Sequence, residues 1–172
     1  MIEVGSGSST HVVTAAVSTG RFDCDVRCID PIPRHEISAL GVTWDAAVLT
    51  DRHVAQFAGL GPGDIAFFDS SHVLFEGTDV DIIQNRILPV LKPGVLVHIH
   101  DIFLPDAYPV NWGHRGYTEQ IGLGGWLCGG AYRLLFASHY VATRMADRAN
   151  EALAGMSPPG PASGGSIWLQ RL

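Results

Sequence analysis

Short apolar runs alternate along the chain with stretches whose apolar positions recur every three or four residues, and this alternation predicts parallel β/α units. "MIEV" reads as a first strand. "STHVVTAAVSTG" reads as a helix with Val13, Ala16 and Val17 on one face, a Ser or Thr as N-cap and Gly20 as its stop. "DVRCID" is a second strand, "PRHEISAL" a short helix led by Pro33, "VTWDAAVL" a third strand and "DRHVAQFAGL" a helical turn or two. "DIAFFD" is a fourth strand. "DVDIIQNRILPVLKPG" sets Val80, Ile83, Ile87 and Leu91 at helical spacing, interrupted by Pro89, before "VLVHIHD" forms a fifth strand. Past Asp101 the texture changes: two prolines and several aromatics between Ile102 and Gln120 suit an ordered loop beside a site. A helix near Glu119 to Leu127, a strand "YRLLFASHYV", a helix "RMADRANEALAG", a Pro/Gly loop "SPPGPASGG" and a strand "SIWLQRL" complete the pattern. The expected architecture is one doubly wound α/β sheet, mostly parallel and ending in an antiparallel pair.

Bulk properties narrow the class. The 172 residues suit a single domain spanning 1–172, and 47% hydrophobic with 16% charged residues suits a sheet buried on both faces. A net charge of −6, with Lys92 the single lysine, argues against nucleic acid as a partner, since phosphate binding needs a basic stripe. No apolar run approaches membrane-spanning length and no signal-peptide pattern opens the chain, so a cytoplasmic protein with no membrane partner is expected. Cys24, Cys28 and Cys128 lack metal-ligand or disulfide spacing and read as buried or half-buried thiols.

Two features carry chemistry. "EVGSGSST" places Glu3, Gly5 and Gly7 between a strand and a helix, where glycines let the backbone approach a ligand and the helix N-terminus offers free N–H groups to an anion. The G-x-G-x-x-G fingerprint of nicotinamide enzymes is incomplete, because Thr10 stands at its third glycine. An acid two residues before Gly5 suits an ammonium group, and Asp30, about 25 residues on at the end of the second strand, suits ribose hydroxyls. This combination favours S-adenosylmethionine over NAD. The second feature is a pair of apolar strands ending "FFDSSH" and "HIHD", which bring Asp69, His72, His100 and Asp101 toward the crevice where open α/β sheets bind ligands. Asp69 and Asp101 as simple turn caps is the plain alternative. His98 is expected to be a satisfied core histidine.

These residues resemble class I S-adenosylmethionine-dependent methyltransferases, in particular the branch of sugar and small-molecule O-methyltransferases with a strand-four D-x-x-H and a strand-five H-D ending. The resemblance runs through "EVGSGSST", "CIDP", "FFDSSH", "LKPGVLVHIHDIFLPDAYP", "YTEQ" and "GGSIWL". It implies a Rossmann-like methyltransferase sheet and a cofactor site lined by Glu3, Gly5, Gly7, Ser8, Asp30 and Asp69. It also implies His72 as general base working with Asp69, a divalent metal (Mg²⁺ or Mn²⁺) on Asp69 and Asp101 with His100 beside it, and Glu119 and Gln120 closing the acceptor pocket. His100 stands where such sites more often carry an acid. Two carboxylates and an imidazole are few hard oxygen ligands for Mg²⁺, so a softer ion, or none, stays open.

The function this implies is methyl transfer to a hydroxyl of a sugar or other small molecule, whose oxygen needs a base or a cation to become nucleophilic. Tyr108, Trp112 and Tyr117 are candidates for the acceptor floor or for loop core. The chain opens almost on its first motif, so it is expected to lack the helices that usually cap cofactor and acceptor in this family. A truncated domain that binds an adenosyl ligand without turnover is therefore the competing reading, and a homodimer could cover the apolar surface a missing cap would leave.

Overall fold

In the computed structural model, which describes residues 1–156 and 164–172, seven strands form one sheet in the order β3-β2-β1-β4-β5-β7-β6. The strands are β1 (Ile2–Val4), β2 (Arg27–Ile29), β3 (Thr43–Asp45), β4 (Ile65–Phe68), β5 (Leu96–His100), β6 (Tyr132–Ala137) and β7 (Ser166–Arg171). The first five pair in parallel, and β7 inserts antiparallel between β5 and β6. The sheet is doubly wound and mostly parallel, as the alternation predicted, and has the Rossmann-like form that the resemblance implied. The chain order reverses at β1–β4, which opens a crevice above the carboxyl ends of those strands.

Period-two alternation assigns each strand two faces. Ile2, Val4, Ile29, Ala66, Phe68, Val97, Ile99, Ile167 and Leu169 point to one face and join the main core. Helices α2 (Val54–Ala58), α3 (Asp79–Ile82, continued by a π turn Ile83–Ile87) and α4 (Glu119–Cys128) supply its other half through Phe57, Ile83, Ile87 and Leu123, all fully buried. Val80, Ile83, Ile87 and Leu91 are buried as their spacing predicted, and the helix turns out of α geometry before Pro89, which has no N–H to continue the ladder. Each such side chain contributes about 1.5–3 kcal/mol by leaving water.

The opposite face follows the register Cys28–Glu3–Phe67–His98–Trp168–Phe136 across six strands. Helix α1 (Ser8–Gly20) covers the Cys28 end with Val13 and Val17. At the other end His98 is stacked on Phe67 at 4.4 Å and meets the Trp168 edge at 4.6 Å. His98 is a core residue but not a satisfied one: neither ring nitrogen has a hydrogen-bond partner among the described residues. Burial and the charge of His100 push its pKa down to about 4, so it stays neutral.

Several local expectations change. The N-cap of α1 is Gly7, not a Ser or Thr, and Gly20 is the last helical residue, with Arg21 in the left-handed cap conformation. "PRHEISAL" forms one 3₁₀ turn at Ser38–Leu40, since Pro31 and Pro33 disfavour helix at the residues before them and the chain runs through bends at Pro31, Ile32, Arg34 and His35. The strand drawn over "YRLLFASHYV" stops at Ala137. Ser138 opens α5 (Ser138–Arg144), followed by α6 (Ala146–Ala152). Within "SPPGPASGG", residues 157–163 lie outside the described residues.

Cys28 is buried, and its thiol donates to Glu3 Oε2 at 3.4 Å. Burial first, then the adjacent Glu3 charge, pushes this thiol up to about 12, while Cys128 is exposed. Iodoacetamide at neutral pH should therefore label Cys128 readily and spare Cys28 until the chain unfolds, because the thiolate is the reacting form. Peptide mass mapping reads this, and equal labelling of Cys28 in folded protein would contradict the placement.

Candidate active site

The first loop is built against the end of β4. Gly5 N donates to Ile29 O, Asp69 N donates to Val4 O, and Gly5 adopts φ +80°. A Cβ on Gly5 would stand 1.9 Å from the Asp69 carbonyl oxygen, so only glycine allows strand and loop to meet. Ser6 N donates to Asp30 Oδ2 at 2.6 Å and Ile32 N to Asp30 Oδ1 at 2.8 Å, which pins the ends of β1 and β2 together.

Above these residues lies a cleft of about 310 Å³ walled by Gly5, Gly7, Ser8, Asp30, Asp69 and His100. Of the residues expected to line the cofactor site, Glu3 is not on the wall. It is fully buried below the loop, where Ser9 Oγ and Thr10 Oγ1 donate to its two oxygens at 2.5 and 2.6 Å. Thr10, standing where the nicotinamide fingerprint wants glycine, completes that contact. The acid thus organises the loop from beneath instead of meeting an ammonium group.

The β4 and β5 ends converge at the far side of the cleft. Ser71 is held by Asp79 in the first turn of α3, its N–H donating to Oδ2 at 2.9 Å. The chain then reverses through His72, whose φ is +60° and whose carbonyl accepts from Thr118 N and Glu119 N. The imidazole, 2% exposed, sits among three carboxylates: Nδ1 is 2.8 Å from Glu119 Oε2, and Nε2 is 3.2 Å from Asp69 Oδ1 and 3.6 Å from Asp101 Oδ2. One ligand atom from each of Asp69, His72 and Asp101 lies within 4.8 Å of the other two.

Burial alone would lower the His72 pKa, but hydrogen bonds with Asp69 and Glu119 and the charges of Glu119 and Asp101 raise it to about 9. Burial works to raise the Asp69 carboxyl too, yet His72 and His100 hold it below its ordinary value. Burial pushes Glu119 up. The imidazole therefore holds the shared proton at neutral pH, and His72 is a cation here where a free base was expected.

His100 is different. Its side chain is 46% exposed on the cleft wall, with Nδ1 3.1 Å from Asp101 Oδ1 and 3.7 Å from Asp69 Oδ1. The hydrogen bond to Asp101 raises its pKa against the effect of burial. It borders the Asp69–His72–Asp101 triangle instead of completing it.

Glu119 and Gln120, expected to close an acceptor pocket, both turn inward. Gln120 Oε1 accepts from Phe103 N at 2.8 Å and its Nε2 donates to Asp106 O. Glu119 carries no spacing signal linking it to His72, 47 residues away. The aromatic loop does close over the site: Tyr117 lies 4.5 Å from the His72 ring, and Arg115 stacks on Trp112 at 4.0 Å.

No protein-family model matches the chain, and no curated protein is similar to it in sequence. Among solved structures, the plantazolicin methyltransferase BamL in complex with a triazolic desmethylPZN analog and SAH superposes with a TM-score of 0.53 at 13% identity, covering 99% of this chain and 76% of that one. A putative methyltransferase from Thermoplasma acidophilum matches more loosely, with a TM-score of 0.36 at 11% identity over 98% of this chain and 65% of its own. The BamL likeness is one of fold.

Proposed function

We propose that the protein is an S-adenosylmethionine-dependent methyltransferase acting on a hydroxyl of a sugar or other small molecule, assisted by a divalent cation. The observation that carries this reading is one cleft walled by the Gly5–Ser8 loop, Asp30 and Asp69, with Asp69 also belonging to the Asp69–His72–Asp101 cluster behind that wall. The BamL fold, seen with SAH, supports the choice of cofactor.

The residues fit both groups. For the cofactor, Gly5 leaves the loop bare of side chain against β4, and the thirteen-residue α1 starts at the cleft with no acid in its first turn, so its N–H groups remain available to a carboxylate. Asp30 spends one lone pair of each oxygen on the loop and keeps others for ribose hydroxyls. For the cation, three carboxylates facing a single imidazole leave excess negative charge, and the mixed oxygen and nitrogen donors suit Mn²⁺ or Zn²⁺ better than Mg²⁺.

When bound, the sulfonium supplies an electrophilic methyl group and the cation stabilises the acceptor oxyanion. The chain's own contribution is to bring Asp69, His72 and Asp101 together beyond the ends of β4 and β5 and to keep His72 under Tyr117. Of the two imidazoles, His100 is the one able to take the acceptor's proton, because it is half-exposed on the cleft while both nitrogens of His72 face carboxylates. Methyl transfer is otherwise a matter of in-line positioning.

Calorimetric titration tests the reading. S-adenosylhomocysteine should bind and NAD should not. Failure to bind S-adenosylhomocysteine would overturn the proposal.

A further inference from the structure

Behind the imidazole of His72 stands a carboxylate that nothing in the cleft can reach. Glu119 is fully buried, yet one of its oxygens contacts Nδ1 of His72 at 2.8 Å and the other, Oε1, has no partner among the described residues. A buried carboxylate with an orphan oxygen is costly, so its retention asks for a reason.

Its mount is unusually stiff. Thr118 N and Glu119 N both donate to the His72 carbonyl at 2.9 and 3.1 Å, Leu74 N donates to Thr118 Oγ1 at 2.8 Å, and Gln84 Nε2 donates to the Glu119 carbonyl at 2.9 Å. The first turn of α4 and the segment after β4 are thereby bolted together around one imidazole–carboxylate contact. An ionised carboxylate only accepts hydrogen bonds, so the nitrogen facing Glu119 must be the donor. That assignment keeps a proton on Nδ1, so a cation that displaces the second ring proton of His72 meets the Nε2 lone pair, which faces Asp69 and Asp101.

We propose that Glu119 is a positioning residue that fixes the Nδ1–H tautomer of His72 and so presents Nε2, with Asp69 and Asp101, to a divalent cation. The inference rests on the cation-assisted reading above and assigns it a ligand, His72, and an orienting partner, Glu119. The physical logic is that of metal-bound histidines generally, where a carboxylate on the far nitrogen sets ring orientation and increases basicity. A neutral amide at position 119 could donate to Nδ1 as readily as accept from it. The ring could then carry its proton on Nε2, which would aim a proton at the cation's place.

The test uses the whole chain, without cofactor or acceptor. Mn²⁺ affinity is measured by electron paramagnetic resonance for the wild type and Glu119→Gln, alongside thermal melts. The expected result is measurable Mn²⁺ binding by the wild type and a loss of roughly 10–100-fold in Glu119→Gln with the protein still folded. Equal Mn²⁺ affinity in the two proteins overturns the positioning role while leaving the cation reading intact. No Mn²⁺ or Zn²⁺ binding by the wild type overturns both. A second measurement needs no variant: in the Zn²⁺-loaded wild type, ¹⁵N shifts of the His72 ring should show Nε2 on the metal and Nδ1 protonated. Metal on Nδ1, or a free ring, overturns the proposal even if Glu119→Gln does not fold.

Discussion

Gly5→Ala is expected to abolish S-adenosylhomocysteine binding and to lower the melting temperature by roughly 5–15 °C, from a loss of about 2–4 kcal/mol. Two penalties combine. A side chain at φ +80° is strained, costing about 1–2 kcal/mol, and its Cβ would stand 1.9 Å from the backbone oxygen of Asp69. Relief requires β1 and β4 to separate at their carboxyl ends, which widens the cleft where the loop, Asp30 and Asp69 meet. Gly77→Ala separates the two causes, because Gly77 has a φ of +83° but open space around its Cβ. It should show the strain alone and keep ligand affinity. Differential scanning fluorimetry with and without S-adenosylhomocysteine reads both variants, and equal shifts for the two would show that the contact with Asp69 is not what demands glycine.

Asp101→Asn should lose cation binding by at least about 100-fold while its melting temperature stays level or rises. Asp69, Asp101 and Glu119 crowd one another around His72, so removing the Asp101 charge relieves repulsion that offsets its lost contacts with His72 and His100. A residue that merely capped a turn would behave oppositely, costing stability and leaving metal affinity alone. The two histidines sort by the same readout. His72→Ala should lose the cation, whereas His100→Ala should retain it and lose methyl transfer to a hydroxylated acceptor, followed as S-adenosylhomocysteine formation. Cation loss in His100→Ala together with retention in His72→Ala would reverse the roles argued for the two rings. The pair is informative because the rings lie on neighbouring strand ends yet differ in exposure, 3% against 46% for the side chains.

Much of the fold was legible because its signals are local. The apolar runs at Ile65–Phe68 and Leu96–His100 are strands by composition and length, and the helical spacing of Val80, Ile83 and Ile87 survives a change of helix type, since the buried face is the same. Errors came where local preference was overruled. β6 ends at Ala137 and Ser138 opens a helix, although Tyr140 and Val141 beyond it are β-prone. The acid ahead of the glycine loop had the right residue and the wrong target: Ser9 and Thr10, one helical turn away, satisfy Glu3 before any ligand can.

By itself, the sequence determined the alternating β/α order, the glycine loop with Asp30, and two strands that end in acid and imidazole, since each is written in residues close together along the chain. Only the tertiary structure decided which imidazole joins which acids. Parallel pairing sets β4 beside β5 and so brings Asp69 and Asp101 to one place, and the left-handed turn at His72 swings its ring between them. The return of the chain at Thr118 then sets Glu119 behind that ring, 47 positions on. Contacts over such separations follow from sheet order and backbone handedness, which no local pattern encodes.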